Sequence, residues 1–243
     1  MKFTILATLC GLLSLVAARP SQPGYHNTAV SPRADKIRIM PFGASIVENT
    51  CWRAYLWKKL QDAKVTNIDF VGGQSGPASC TLNGASVSFD PNNEGHGGAR
   101  AVEYVQGGNL TRWLDAAKPV DIIMIHLGTN DVITKTSIPD IIKAYDTLLS
   151  QMKASNPAMK VIVSLLIPID PKLFGQGATD GIISLNAALR DWISKNKLLQ
   201  VDNYTGFDYV TMTTEGEHPN EKGSVFMADH FYPVVKKAIE GGS

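Results

Sequence analysis

A serine follows an abrupt break in an apolar run. Ile37 to Met40 gives way to Pro41, Phe42 and Gly43, then Ala44 and Ser45, ahead of a helical pattern that begins near Trp52. A parallel strand of an α/β sheet ends in this manner, and ligands bind beyond the carboxyl ends of such strands. Ser45 therefore stands where a nucleophile would, although a serine before a helix also serves as an ordinary loop or cap residue. Acyl transfer needs three further parts: a base, a group to orient the base, and donors for the oxyanion. His218 is the candidate base, because it precedes Pro219, which suits the first turn of a helix, and so sits at a loop-to-helix junction. Glu215, three residues earlier, can reach the other ring nitrogen and hold the tautomer. The other histidines compete poorly. His126 lies in an apolar strand and reads as a core residue, His230 falls mid-helix, and His26 precedes the domain. Val47 occupies the last position of a would-be Gly-x-Ser-x-Gly elbow, which argues against the α/β-hydrolase fold. No histidine pair has ligand spacing and no cysteine cluster exists, so no metal and no cofactor are expected.

Downstream of Ser45 come Gly95-His96-Gly97-Gly98, Gly128-Thr129-Asn130-Asp131 and Glu215-Gly216-Glu217-His218-Pro219-Asn220. Blocks of these kinds in this order resemble the SGNH (GDSL-like) hydrolase superfamily. The segment Met40 to Trp57, with Thr50-Cys51-Trp52-Arg53-Ala54 and Glu94-Gly95-His96-Gly97-Gly98, looks most like the fungal acetyl xylan esterases of carbohydrate esterase family 3. The resemblance runs from about Lys36 to Ile239. It implies a Ser45–His218–Glu215 triad. The oxyanion hole would be built from the backbone N–H groups of Ser45 and Gly98 and the side-chain amide of Asn130. A glycine lets backbone and substrate approach closely, and Asn130 directly follows a buried strand. As plain structure the same residues would be a glycine turn and an Asx turn or cap. Trp52, Arg53 and His96 are the expected substrate-binding residues, since aromatic faces suit sugar rings, though aromatics at such spacing also build cores.

Two positions depart from the superfamily pattern: Ala44 replaces its usual Asp, and Glu215 replaces the usual Asp before the histidine. The implied activity is removal of O-acetyl groups from an acetylated polysaccharide or oligosaccharide. An esterase or lysophospholipase acting on another acyl group is one alternative. A non-catalytic carbohydrate-binding protein, motivated by Ala44 and Glu215, is another.

The elements that must position these residues alternate as strand and helix. Lys36–Met40, Ile68–Val71, Val120–Leu127, Lys160–Ile167 and Leu198–Asp202 read as strands, and the near-continuous apolar run of 120–127 marks a central strand covered on both faces. Helices are expected over Trp52–Ala63, Ala101–Ala116 with Val102 and Val105 inward, Ile138–Lys153, Thr179–Lys195 and Pro219–Ile239. This alternation implies a doubly wound α/β sheet. The resemblance adds a three-layer α/β/α sandwich with a mostly parallel sheet of about five strands in flavodoxin-like order. Residues 74–98 form a long segment rich in Gly, Asn and Ser, of the kind that is functional or stapled.

The first 18 residues read as a secretory signal: Lys2, an apolar stretch from Phe3 to Val16, and Val16-Ala17-Ala18 as cleavage site. Residues 19–35 read as a disordered lead-in or propeptide, and residues 36–243 as one domain. The formal net charge of +1 drops to zero when Lys2 leaves, which argues against nucleic acid or an acidic membrane as partner. A monomer is expected. Cys10 leaves with the signal, and the remaining pair, Cys51 and Cys80, suggests a disulfide in an oxidising, extracellular compartment. Asn109 and Asn203 stand in glycosylation sequons.

Overall fold

The computed structural model describes residues 36–241. The expected signal and lead-in lie outside the described residues. In chain order the elements are β1 (Ile37–Gly43), α1 (Ser45–Asn49), α2 (Trp52–Asp62), β2 (Ile68–Phe70), β3 (Gln74–Ser75), β4 (Cys80–Leu82), β5 (Ala85–Val87) and β6 (Asn92–Gly95). There follow α3 (Ala101–Gln106), α4 (Asn109–Ala117), β7 (Ile122–His126), α5 (Thr129–Ile133), α6 (Ile138–Ser155) and β8 (Lys160–Ser164). The chain closes with α7 (Pro171–Phe174), α8 (Gln176–Lys195), β9 (Leu199–Val201), α9 (Tyr209–Met212) and α10 (Glu221–Ile239).

Strand β1 is the hub of the sheet. One of its edges pairs in parallel with β2 from Ile37↔Ile68 to Ile39↔Phe70, then with β6 at Phe42↔Glu94 and Gly43↔Gly95. Its other edge runs parallel to β7 as far as Gly43↔His126, and β8 and β9 continue the parallel order. The principal strands thus lie in the order β2-β1-β7-β8-β9, with β3 antiparallel to β6 at the margin. This flavodoxin-like order reverses direction at β1, which puts a crevice beyond the carboxyl ends of β1 and β7.

Strand β1 runs through Pro41 to Gly43, past the expected end at Met40, for a definite reason. Ile39 and Gly43 accept from Val71 and His96 on the β2/β6 side, whereas Arg38 accepts from Asp121 on the β7 side. By that alternation Pro41 faces the interval between the last β2 pair, at Ile39, and the first β6 pair, at Phe42, so its missing N–H costs no ladder bond.

The two faces of the sheet bury separate apolar clusters. Ile123 and Ile125 of β7 join Leu110, Leu148 and Leu189 from α4, α6 and α8. Ile122 and Met124 join Leu56 and Phe231 from α2 and α10. Every residue of β7 is buried, and the result is a three-layer α/β/α sandwich.

Several sequence expectations need correction. The helix expected over 101–116 is two helices, because Gly107-Gly108 breaks it and Gly108 takes φ 60°. Its inward residues are Ala101, Tyr104, Leu110 and Leu114, while Val102 and Val105 are half-buried. The 74–98 segment contains the β4–β5 hairpin and β6, and the Cys51–Cys80 bridge ties it to the start of α2. The last helix starts after Asn220, whose side chain caps it by accepting from the Gly223 N–H, while Pro219 bridges to Thr213. Asn203 is fully buried and donates its amide to Ser164 Oγ at 2.8 Å, so the folded chain has no room for a glycan there. Asn109 is half-buried at the start of α4, where it accepts from Arg112. No helix among the described residues is long and apolar enough to cross a membrane.

Candidate active site

Ser45 is the first residue of α1, a helix of only five residues. So short a helix is unstable alone and leaves its last carbonyls without intrahelical partners. Trp52 and Arg53 supply them. Trp52 Nε1 donates to Ile46 O at 3.0 Å, and Arg53 donates to Val47 O at 2.7 Å and Glu48 O at 3.3 Å. The Arg53 guanidinium also holds the carbonyls of Gly76 and Pro91, which anchors the long segment to α1. Both side chains are 0 % exposed, with Trp52 stacked on Phe231. Burial lowers Arg53 to about 10, opposed by Asp90, so it stays charged at neutral pH. These two residues do not line a substrate surface, contrary to expectation; they brace α1, the helix that carries Ser45, from beneath.

His218 is delivered by a tight loop between α9 and α10. The Thr214 N–H donates to His218 O, the Asn220 N–H donates to Met212 O, and the Asn220 amide holds the carbonyls of Thr211 and Thr213. Gly216 receives a further tie when its carbonyl accepts the Asp170 N–H. The imidazole Nε2 lies 2.8 Å from Ser45 Oγ. Its Nδ1 is bonded to Glu215 Oε1, which also accepts the His218 backbone N–H at 3.0 Å. The resulting line of contacts, carboxylate to imidazole to hydroxyl, crosses 173 residues of sequence. Glu217 stands alongside, its carboxyl held above the ordinary value by burial and by Glu215, with His218 pulling it back. A groove of about 310 Å³, lined by Asp170, Leu173, Tyr209, Val210 and Glu215 among others, opens on the acid side.

The expected oxyanion donors come from three separate elements. As the first helical residue, Ser45 has no helical acceptor for its N–H, and among the described residues neither the Ser45 nor the Gly98 N–H has a partner. Asn130 is the second residue of α5, just beyond β7, and spends one amide hydrogen on Ala99 O at 3.1 Å, leaving the other free. The adjacent Asp131 is fully buried and accepts from the N–H groups of Ala101 and Val102 at 2.8 and 3.3 Å. It thereby fixes α5 against the start of α3, and burial raises its carboxyl above the ordinary value, against the pull of those bonds.

Gly95 brings the glycine block beside α1, the helix that carries Ser45. A Cβ there would meet the Glu48 N at 2.5 Å and Ala44 O at 2.9 Å, so only glycine lets α1 pack on β6. His96 is locked: its Nε2 lies 2.7 Å from Glu94, its Nδ1 lies 3.2 Å from the Gln74 amide, and its ring stacks on Trp113 at 4.4 Å. Sequence reasoning missed the supports Glu48, Gln74 and Tyr104. The buried Tyr104 hydroxyl donates to Gly43 O at 2.7 Å, and burial pushes its phenol up. Only the i, i+3 spacing of Ala101 and Tyr104 could have put Tyr104 inward, and the Gly-Gly break obscured it.

A family model described as GDSL-like lipase/acylhydrolase matches residues 42–225. No curated protein sequence matches the chain. Among solved structures, an acetyl esterase mutant with an acetate ion superposes with a TM-score of 0.74 at 31% identity, covering 84% of this chain and 99% of the other. A carbohydrate esterase family 3 protein from Talaromyces cellulolyticus gives 0.74 at 31% identity, covering 85% and 100%. The family 3 carbohydrate esterase of Clostridium thermocellum shares the fold, at 0.68 and 22% identity over 86% and 100%. The chain belongs to the GDSL-like lipase/acylhydrolase family, and its fold is that of the family 3 carbohydrate esterases.

Proposed function

We propose that this carboxylic ester hydrolase is a secreted esterase that removes O-acetyl groups from plant cell-wall polysaccharide, using Ser45, His218 and Glu215 as its triad. The observation that carries the reading is the Ser45 Oγ–His218 Nε2 distance of 2.8 Å, with Glu215 on the opposite ring nitrogen. Glu215 holds the hydrogen on Nδ1, so Nε2 is free to take the serine proton as Oγ attacks the acetyl carbonyl carbon. The carbonyl oxygen becomes an oxyanion, received by the N–H groups of Ser45 and Gly98 and the Asn130 amide. Collapse breaks the ester C–O bond, and Nε2–H protonates the departing sugar oxygen. A water then attacks the acetyl-serine, gives its proton to Nε2, and leaves acetate and free Ser45 after a second collapse.

Secretion rests on the leader at residues 1–18, and acetylated xylan on the likeness to carbohydrate esterases. Asn109 remains the proposed glycan acceptor. The protein acts as a monomer without a cofactor in this reading.

The test is acetate release from acetylated xylan by the wild type, Ser45→Ala and His218→Ala. Loss of about 10⁴–10⁶ in kcat for both variants is expected. A folded wild type that cleaves small acetyl esters but not xylan would overturn the substrate. Faster turnover of long acyl chains than of acetyl would favour a lysophospholipase. A wild type inert on all esters would leave a carbohydrate-binding protein.

A further inference from the structure

The Gly98 N–H is the one oxyanion donor not carried on a helix. His96 O accepts the Ala99 N–H at 3.1 Å, closing a turn with Gly97 and Gly98 at its centre. Gly98 has φ +76° whereas Gly97 is not among the positive-φ residues, which is the pattern of a type II turn. The central peptide of that turn is the one that bears the Gly98 N–H, so its orientation decides whether the donor faces the site. Two adjacent glycines give this peptide unusual freedom to rotate, and packing does not restrain it. A Cβ at Gly98 would meet nothing within 4 Å, and one at Gly97 would meet only Glu48 Oε2 at 3.1 Å and Asn49 Nδ2 at 4.0 Å. The turn is exposed, and among the described residues the one side chain bonded to its central residues is Glu48, whose Oε2 accepts the Gly97 N–H at 2.6 Å.

Glu48 lies on α1, three residues from Ser45. We propose that Glu48 is the positioning residue for the oxyanion hole: it fixes the Gly97–Gly98 turn to the helix that carries the nucleophile, and so aims the Gly98 N–H. This rests on the esterase reading above. A charge-assisted bond to a backbone N–H is short and about twice as strong as a neutral one, which suits a tether that must hold a bare Gly-Gly turn. The carboxylate's charge strengthens this tether but is not essential to it. What matters is its acceptor oxygen, and a glutamine offers one in the same place.

The experiment measures kcat, KM and Tm on 4-nitrophenyl acetate for the wild type, Ser45→Ala, Glu48→Ala and Glu48→Gln. It adds the inhibition constant of methylboronic acid, a mimic of the tetrahedral intermediate. Glu48→Ala is expected to lower kcat about 10–100-fold, as misplacement near the chemistry does, with KM within about twofold and boronate binding weakened in parallel. Glu48→Gln should recover kcat to within about threefold. A Glu48→Ala kcat within twofold of wild type, with Ser45→Ala inactive, overturns the inference and leaves the esterase reading intact. A Gln variant as poor as Ala, or a loss confined to Tm, overturns it too. An inert wild type removes the esterase reading and the inference with it.

Discussion

His126 offers a test of the fold through pH. It ends β7 fully buried, and its Nδ1 lies 3.1 Å from Ser164 Oγ. Ser164 gives its own hydrogen to Leu165 O at 2.7 Å and accepts the Asn203 amide at 2.8 Å, so its oxygen acts as an acceptor toward the histidine. The proton therefore sits on Nδ1, and Nε2 has no partner among the described residues. Charging the ring would add an N–H with nowhere to donate. Burial accordingly pushes His126 down to about 4. An unfolded histidine titrates near about 6.5. As pH falls from 6.5, the unfolded chain binds a proton that the folded chain refuses, so stability is lost through this window and the loss ends near pH 4. Over about 2.5 pH units at about 1.4 kcal/mol per unit, the full loss is about 3.5 kcal/mol, of which about 3 is reached by pH 4. His126→Gln keeps a donor for Ser164 and cannot titrate. It should be about 1 kcal/mol less stable than wild type at pH 7 and about 2 kcal/mol more stable at pH 4. Urea unfolding from pH 4 to 7 measures both, and curves that stay parallel instead of crossing would refute the reasoning.

Three other outcomes follow. The bridge closes a sequence separation of 29 residues, so the Cys51→Ala/Cys80→Ala variant should lose about 3–4 kcal/mol in reversible unfolding; a loss under about 1 kcal/mol would mean that the hairpin holds without it. Asn130→Ala removes one of the three proposed oxyanion donors and should lower kcat about 10²–10³-fold with little change in KM for an acetyl ester; a pure KM effect would make Asn130 a binding residue. Arg53→Met strips a buried donor from the carbonyls of Val47, Glu48, Gly76 and Pro91 and should cost about 3–5 kcal/mol of stability. A rise in KM with stability intact would restore Arg53 to the substrate surface.

The sequence was legible where one local signal decides the outcome. Apolar runs ending in glycine marked β1 and β7, because a strand buried on both faces must be apolar throughout. The order of blocks led to residues that the fold gathers at one crevice, Ser45 against His218 above all. It misled where partners are distant. Trp52 and Arg53 look like surface residues for a sugar, and only the carbonyls at the end of α1 show why an arginine is buried there. Asn203 carries a sequon, but its burial follows from the position of Ser164 in another strand. Glu48 gave no signal because its partner is a backbone N–H 49 residues away.

Two histidines in this site stand beside glutamates, and the difference between them explains why only one suits the role of base in the proposed triad. Glu94 and His96 are two apart where β6 ends, a spacing that puts both side chains on one face of a strand. There Glu94 is 1 % exposed and also accepts the Gly73 N–H at 2.7 Å. The Gln74 amide can only donate, so His96 Nδ1 accepts and Nε2–H goes to Glu94. Both ring nitrogens are spent within the scaffold, and Trp113 holds the ring flat. His96 can brace the glycine block but cannot take a proton from a substrate or a serine. Glu215 and His218 are three apart on a turn, which lets the carboxylate take Nδ1 and the backbone N–H together. Nε2 is left pointing at Ser45 alone, on a side chain 32% exposed. A base needs one nitrogen fixed and the other committed to nothing but the nucleophile, and in this chain the turn meets that condition where the strand does not.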